Sequence, residues 1–591
     1  MTEARWMKEP RAGRRRTTAR IAGVRGCLFP DGGAEPVAPK SPPPARDTFQ
    51  RLSDCRSSAM ERPVPPPLLV SRLLVSEQPF EVTLTETVLC WQPLRPKKAS
   101  SSGTGHLSVP VCDIVAVCET EEDGIGKESG RWQKMPSFST DLTLHAFTVY
   151  HVQRSKEHHW ECNEVTFHCS DHLLCNQWVK ALKEQLDLQA MRPKHLIIFI
   201  NPFGGKRLGK QIYDDKVAPL FQLACITADV IVTERANHAR DHLIEADLEK
   251  YDGIVSVGGD GMFSEVMHGL ISRTQKNSGI DENYPTAELV PCDLRIGIIP
   301  AGSTDCICYA TVGTNDPITS ALHIIIGDSQ PIDVSSVHHK HMFLKYSVSL
   351  LGYGFYGDTL IDSEKNRWMG PSRYNFSGFK TFLSHHCYEG AVSFLPATET
   401  PGSPRDPKPC TAGCHICKYS GDQLKVSQKA MKLKCIDEEQ QQWKVVKGKF
   451  LAINSTNMSC ACPKSPKGLS PAAHLADGTI DLILVHKCSR LNFLRHLIRH
   501  TNNDDQFDHA FVEVHRVKEF KFTPKYCDEE DTDIQDVGKN LFGQICRDHP
   551  SCSCAQHQSS WNCDGEIIKH AAIEVRVHCQ LLKLFVRGIE K

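Results

Sequence analysis

The densest chemical signal in the chain is Gly258-Gly259-Asp260-Gly261. It follows an apolar run, Gly253–Val257, that reads as a strand. It also opens a segment in which Phe263, Val266, Met267 and Leu270 recur at helical spacing. Glycines at a strand-to-helix turn let backbone approach a ligand closely, and the unpaired N–H groups of the helix start favour phosphate oxygens. A carboxylate beside bound phosphates repels them. Asp260 therefore has a place there only as a base facing an acceptor hydroxyl or as a holder of Mg²⁺. The plainer alternative is an aspartate that caps the start of a helix.

Two further glycine turns follow apolar strands. Asn201-Pro202-Phe203-Gly204-Gly205-Lys206 ends the run His195–Ile200, and Pro300-Ala301-Gly302-Ser303-Thr304-Asp305 ends Leu294–Pro300. Gly204 to Gln211 nearly spells a P-loop, but Gln211 stands where a hydroxyl should reach Mg²⁺, so that assignment is rejected. Open parallel sheets bind ligands at the C-terminal ends of their strands, and three glycine turns at such ends predict one nucleotide site. Gly352-Tyr353-Gly354-Phe355-Tyr356-Gly357 matches a dinucleotide fingerprint in spacing only; no βαβ unit with a ribose-binding acid follows it.

The elements that must hold these turns are legible by texture. Over residues 193–343, Ile/Val-rich strands alternate with helical segments near Lys210–Gln222, His238–Leu248 and Met262–Ser272, which predicts an α/β domain on a parallel sheet. From residue 344 to 591 the texture is β-rich, with strands expected at Tyr346–Leu351, Gly390–Leu395, Trp443–Ile453, Ile480–His486, Val512–Thr523 and Ala572–Val586. Residues 68–190 carry short β-branched strands closed by His172–Gln189, a helix around Trp178; this resembles a pleckstrin-homology domain. Arg95-Pro96-Lys97-Lys98 sits where such domains hold an anionic headgroup, or is an ordinary solvated loop.

Residues 1–66, with scattered arginines and proline clusters, read as a disordered basic tail. Across 591 residues, 69 Lys+Arg balance 70 Asp+Glu, so bulk electrostatics give no reason to expect a nucleic-acid partner. No apolar run approaches the roughly 20 residues that cross a bilayer, and no secretory signal is evident. The expectation is therefore a cytoplasmic protein, with its 26 cysteines as free thiols, metal ligands or redox groups. Cys410, Cys414 and Cys417 lie in a Pro/Gly-rich insertion at about 396–440, with Cys460, Cys462, Cys552 and Cys554 elsewhere. With His415 or a distant fourth ligand, the three could hold Zn²⁺; redox sensing is the alternative. Lys487–His500 is a basic amphipathic stretch suited to calmodulin or an anionic membrane, or a plain surface helix. The acidic run Asp528–Asp536 lacks EF-hand spacing and reads as a solvated loop.

Together FINPFGGK, VGGDGMFSEV, IPAGST and Asn562-Cys563-Asp564-Gly565-Glu566 resemble the diacylglycerol-kinase catalytic family, which is shared with sphingosine kinases. The likeness covers about residues 68–591. The pleckstrin-like front and the Cys-x3-Cys-x2-Cys motif resemble its ceramide-kinase branch; Gly302-Ser303-Thr304-Asp305-Cys306, where diacylglycerol kinases usually read GTGND, argues against the diacylglycerol-kinase branch proper. The resemblance implies a phosphofructokinase/NAD-kinase-like α/β domain followed by a β-rich sandwich. It implies that Asn201, Pro202, Phe203, Thr233, Glu234, Arg235, Ala236, Asn237, Glu265, Gly302, Ser303 and Thr304 line ATP. Arg367 and Arg373 would reach the nucleotide from the second domain, and Asp564, Gly565 and Glu566 would close its nucleotide or metal side. Gly258, Gly259, Asp260 and Gly261 would meet the lipid, with Asp260 as acid/base. The implied reaction is ATP- and Mg²⁺-dependent phosphorylation of a primary hydroxyl of ceramide, with Ca²⁺ as an activator. The implied setting is a phosphoinositide-bearing Golgi or plasma membrane surface. A sphingosine or diacylglycerol kinase, or a non-catalytic lipid-binding scaffold, stays open as an alternative.

Overall fold

The computed structural model describes residues 66–94, 107–120, 145–370, 372–397, 401–406, 408–432, 442–502, 504–525 and 558–590. The N-terminal tail through residue 65, Arg95–Lys98, Asp528–Asp536, Cys552 and Cys554 lie outside the described residues. No described helix is long and apolar enough to cross a membrane.

Seven antiparallel strands form the first sheet: β1 (Leu69–Val75), β2 (Gln78–Leu84), β3 (Val88–Pro93), β4 (Leu107–Pro110), β5 (Ile114–Thr120), β6 (His145–Arg154) and β7 (Trp160–Cys169). Helix α1 (His172–Asp187) closes it, started by Asp171, whose side chain accepts the Leu174 N–H at 2.8 Å. Trp178 is fully buried among Phe147, Phe167, Leu84 and Leu89, as the spacing of α1 predicts. The pleckstrin-like expectation is met.

The α/β region begins with β8 (His195–Ile200), followed by a bent helical stretch. Its parts are α2 (Gly209–Ile212), a π turn at Tyr213–Val217 and α3 (Ala218–Leu223). Next come β9 (Thr227–Val232), α4 (His238–Glu245), β10 (Gly253–Gly258), α5 (Asp260–Asn277), β11 (Arg295–Pro300), α6 (Cys306–Val312) and α7 (Pro317–Ile326). Strands β11, β10, β8 and β9 are parallel in that spatial order. β8, β10 and β11 are buried along nearly their whole length, which is why they read as unbroken apolar runs.

The β-rich region contains β12 (Gln330–His339), β13 (Met342–Ser347), β14 (Leu350–Gly354), α8 (Phe355–Lys365), α9 (Ser372–Ser384), β15 (Tyr388–Pro396), α10 (His415–Lys432), β16 (Lys444–Thr456), β17 (Ile480–His486), α11 (Arg490–Arg499), β18 (Val512–Pro524), β19 (Trp561–Cys563), β20 (Glu566–Ile568) and β21 (Ile573–Leu584). The long strands β16 and β18 each pair with both β15 and β17, so four strands close on themselves around Phe394, Phe450, Phe520 and Phe522. Two features depart from the sequence expectation. The glycine decoy at 352–357 is a strand-to-helix turn, but β14 is antiparallel to both its neighbours, and an α8–α9 hairpin follows where the sequence suggests at most a short charge-rich helix at Asp362–Arg367 within β texture. The final strand, expected within the second domain, also runs parallel to β11 while pairing with β12 and β18. One strand thus joins the parallel and antiparallel parts into a single 14-stranded sheet.

Candidate active site

Parallel register places three strand ends side by side: Gly258 of β10 pairs with Pro300 of β11, and Val257 with Ile200 of β8. The ladder continues into the turns, with the Asn201 N–H donating to Val257 O and the Ala301 N–H to Gly258 O, both at 2.9 Å. The Asn201 side chain folds its own loop, its Oδ1 accepting the N–H groups of Phe203 (2.8 Å) and Gly204 (3.1 Å). Gly205 has φ +54°, and a Cβ there would lie 2.6 Å from Ala301 O; a Cβ on Gly302 would lie 2.5 Å from Gly259 Cα. The loops therefore pack backbone on backbone, which only glycine permits. The convergence expected from sequence is observed.

Asp260 opens α5 but does not cap it. Its carboxylate crosses to the next helix, where Oδ2 accepts the Cys306 N–H at 3.1 Å and Oδ1 the Ile307 N–H at 3.0 Å. The capping alternative is thus realised on α6 instead of α5, and it leaves further lone pairs of the same carboxylate available. Burial pushes this carboxyl up from the ordinary aspartate range, and the two amides oppose the shift. Asp305, which the sequence reading leaves outside the site residues, stands beside it. This residue holds a left-handed conformation (φ 51°), and its carboxylate accepts the Gly302 N–H at 2.9 Å. Burial, then the Asp260 charge, push Asp305 up to about 7. From the β-rich region Ser349 adds a hydroxyl 3.7 Å from the Cys306 Sγ and 3.5 Å from the Cys460 Sγ.

The other flank of α5 carries the second group of expected nucleotide residues. Thr233 donates through both N–H and Oγ1 to Ile200 O, at 2.8 and 3.2 Å. The Glu234 N–H donates to His238 Nδ1, Arg235 pairs with Asp241 and bonds Ala236 O, and Asn237 sits at φ 60°. Glu265 reaches this turn from α5; burial raises its carboxyl, opposed by the N–H groups of Asn237 and Ala239. Its Oε2 is buried without a hydrogen-bond partner, so one acceptor faces the turn unused. His268, one turn further along α5, accepts the Tyr346 N–H of β13 at Nε2 (3.0 Å) while Nδ1 pairs with Ser264 O (2.8 Å). Burial holds it neutral, down at about 4. Sequence shows it only as a polar residue within an apolar helix.

The turn 564–566 is brought to this flank, but its members differ in role. Asp564 (φ 48°) faces inward: its carboxylate accepts the Ser347 hydroxyl and the N–H groups of Val348, Ser349 and Leu350 at 2.8–3.1 Å. Burial raises its carboxyl to about 6 against those bonds. Asp564 knots the β13–β14 crossover instead of presenting itself to a nucleotide. Gly565 takes the φ +91° turn with open space around its Cβ position. Glu566 pairs with Lys345, and its charge is felt by both Glu265 and His268.

Arg367 and Arg373 lie on the α8–α9 hairpin and both pair with Glu364; Arg373 also donates to the Tyr374 hydroxyl at 2.8 Å. Neither hydrogen-bonds the three glycine loops or the turn 233–237. Trp368 between them is 83% exposed, and Phe376, Phe379 and Leu383 of α9 are exposed beside it. In α11, Phe493 and His496 are buried, while Leu491, Leu494 and Ile498 face outward. Cys410, Cys414 and Cys417 gather around His474, not around the exposed His415.

The family profile of the ceramide kinase PH domain matches residues 69–182, that of the diacylglycerol kinase catalytic domain residues 195–337, and that of the ceramide kinase C-terminal domain residues 349–591. The chain is 59% identical to the ceramide kinase of Homo sapiens over 526 residues, covering 88% of this chain and 97% of that one. It is 59% identical to the ceramide kinase of Mus musculus over 493 residues, covering 83% and 92%. The Arabidopsis thaliana ceramide kinase is 31% identical over 532 residues, covering 76% and 82%. With matched profiles running from the first barrel strand to the shared last strand, the chain belongs to the ceramide kinase family.

Proposed function

We propose that this protein transfers the γ-phosphoryl group of ATP to the primary hydroxyl of ceramide, giving ceramide 1-phosphate. The observation that carries the reading is the convergence of the glycine loops at 201–206, 258–261 and 301–305 around the paired carboxylates of Asp260 and Asp305. The Gly205 amide, held in its loop by Asn201, and the loop amides at 259–261 receive phosphate oxygens, and the turn 233–237 with the unpartnered Oε2 of Glu265 receives the polar edge of the nucleoside. Asp260, held in place by the α6 amides, accepts the proton of the ceramide hydroxyl as the in-line transfer proceeds. Two adjacent carboxylates, both raised by burial and Asp305 also by the Asp260 charge, suit a divalent cation, and Mg²⁺ held by Asp260 and Asp305 would offset charge on the transferring phosphoryl group.

A two-chain acceptor needs apolar cover, which Trp368, Phe376, Phe379 and Leu383 on the α8–α9 hairpin supply. Arg367 and Arg373, released from Glu364, would reach polyphosphate from that hairpin, and Glu566 with Lys345 closes the Glu265 side. The pleckstrin-like barrel meets an anionic phosphoinositide surface, of the Golgi or the plasma membrane. Ca²⁺ acts as an activator through calmodulin on α11; buried Phe493 and His496 confine that contact to the outward row Leu491, Leu494 and Ile498. The test offers radiolabelled ATP with ceramide, sphingosine and diacylglycerol in parallel mixed micelles. Ceramide is expected to be the preferred acceptor by far. Preferential labelling of another lipid, or of none, overturns the reading.

A further inference from the structure

We infer that Cys410, Cys414, Cys417 and His474 form a structural zinc site. The Sγ atoms of Cys410 and Cys417 lie 3.7 Å apart, the Sγ of Cys414 lies 3.4 Å from His474 Nδ1, and all four ligand atoms lie within 4.8 Å of one another. In a tetrahedral site with Zn–S about 2.3 Å and Zn–N about 2.0–2.1 Å, the sulfur–sulfur edge is about 3.8 Å and the sulfur–nitrogen edge about 3.6 Å. Both short edges match that figure. Three soft sulfurs and one imidazole select Zn²⁺ over the hard cations that serve phosphoryl transfer. All three cysteines are free thiols.

The local structure explains the spacing. Cys414 precedes α10 and Cys417 falls in its first turn, so the two-residue gap turns both sulfurs to one side. The Cys414 N–H donates back to Thr411 O at 3.1 Å, which folds Cys410 over them. The Cys417 carbonyl accepts Gln580 Nε2 of β21 at 3.1 Å, an outer contact that steadies one ligand-bearing backbone. His474 comes from the loop between β16 and β17, whereas the cysteines come from the insertion between β15 and β16. Zinc therefore closes a long stretch of chain, where a cross-link constrains the unfolded state most.

What the site would hold is the junction between the parallel and antiparallel parts of the large sheet. The loop carrying His474 accepts the Asp333 N–H of β12 at Leu475 O (2.7 Å), and its Gly478 N–H donates to Asp333 Oδ2 (2.6 Å). The same Asp333 accepts the Gln580 N–H of β21 at 2.7 Å. Farther along, Asp477 and Asp481 face the buried guanidinium of Arg516. A zinc clamp at 410–417 and 474 thus anchors the loop on which the β12–β21 pairing leans.

The test uses the full chain and does not depend on kinase activity. Elemental analysis of protein purified without added metal is expected to find about one zinc per chain, falling below about 0.2 in His474→Ala and Cys414→Ser. His474→Cys supplies a fourth thiolate and is expected to keep about one zinc, which separates ligand loss from misfolding. Cobalt-exchanged wild type is expected to show thiolate-to-cobalt charge transfer and tetrahedral d–d bands, with the d–d bands shifted in His474→Cys. Wild type without zinc overturns the site, as does a folded His474→Ala with full zinc, or a disulfide among the three cysteines in mass mapping.

Discussion

Trp160 of the pleckstrin-like barrel stacks on His323 of α7, with ring centroids 3.7 Å apart and planes 24° from parallel. Two guanidiniums, Arg154 and Arg587, lie over the same indole at 5.0 and 5.1 Å, and both reach the buried carboxylate of Asp113. Burial, then the Arg587 charge, push His323 down to about 3, so the stacked ring is neutral. Around the stack, Val115, Ala116 and Val152 of the barrel share one core with Ile198, Leu322, Ile325 and Phe585. The barrel is therefore not tethered to the catalytic region by a flexible linker; the two share a hydrophobic interior.

Trp160→Ala is expected to cost about 3–5 kcal/mol of stability, the range for truncating a buried aromatic. Denaturant unfolding checks it. A fragment beginning at residue 193 is expected to be insoluble, because it would bare the α7 face. A soluble fragment with full activity would show the shared core to be dispensable.

Asp260→Asn is expected to lower kcat by at least about a thousandfold while ATP affinity stays within about tenfold. Turning one carboxylate oxygen into an amide nitrogen also sets N–H against the N–H of Cys306 or Ile307, so a stability loss of about 1–3 kcal/mol is expected. Single-turnover kinetics alongside nucleotide titration measure both; undiminished turnover would remove Asp260 from the chemistry.

Burial and the Asp260 charge push Asp305 up to about 7 in the fold, against about 3.9 in an unfolded chain. Between those values the folded state binds more protons, so its contribution is fully present below about pH 4 and is lost as pH rises through about 7. Asp305→Asn is expected to flatten that slope. Urea unfolding at pH 5 and 7.5 without divalent cations reads the difference between the two proteins, so histidines common to both, such as His268, cancel. Equal slopes would contradict it.

Gly302→Ala places a methyl 2.5 Å from both Gly259 Cα and Asp305 Oδ1. The loops must part, and the KM for ATP is expected to rise more than about tenfold with the circular dichroism spectrum unchanged. Steady-state kinetics at saturating ceramide decide.

Much of the candidate site is legible from sequence because glycine at a strand end has a local cause. Gly205, Gly259 and Gly302 announce close backbone approach whatever their partners are. Asp305 is less legible: its proximity to Asp260 arises only when two loops cross, and its left-handed backbone leaves no compositional mark. Asp564 misleads in the opposite sense, since an acid in an Asn-Cys-Asp-Gly-Glu turn suggests a ligand until its oxygens are seen bonded to the β13–β14 crossover. The zinc cysteines are visible as a cluster, but His474 is remote in sequence and adjacent His415 is the natural wrong choice. Only the charged stretch Asp362–Arg367, over the end of α8, suggests a helix in sequence; the rest of α8 and all of α9 escape notice because their aromatic residues carry as much strand as helix preference.

The strand that joins the two parts of the large sheet sets an order on biosynthesis. Parallel pairing with β11 involves Lys583 and Leu584, so the catalytic sheet keeps an open, apolar flank until β21, far downstream of the strands it completes, has been made and docked. Lesions that unseat β21 would therefore be as damaging as lesions within the glycine loops, and the nascent enzyme would rely on chaperones until β21 docks.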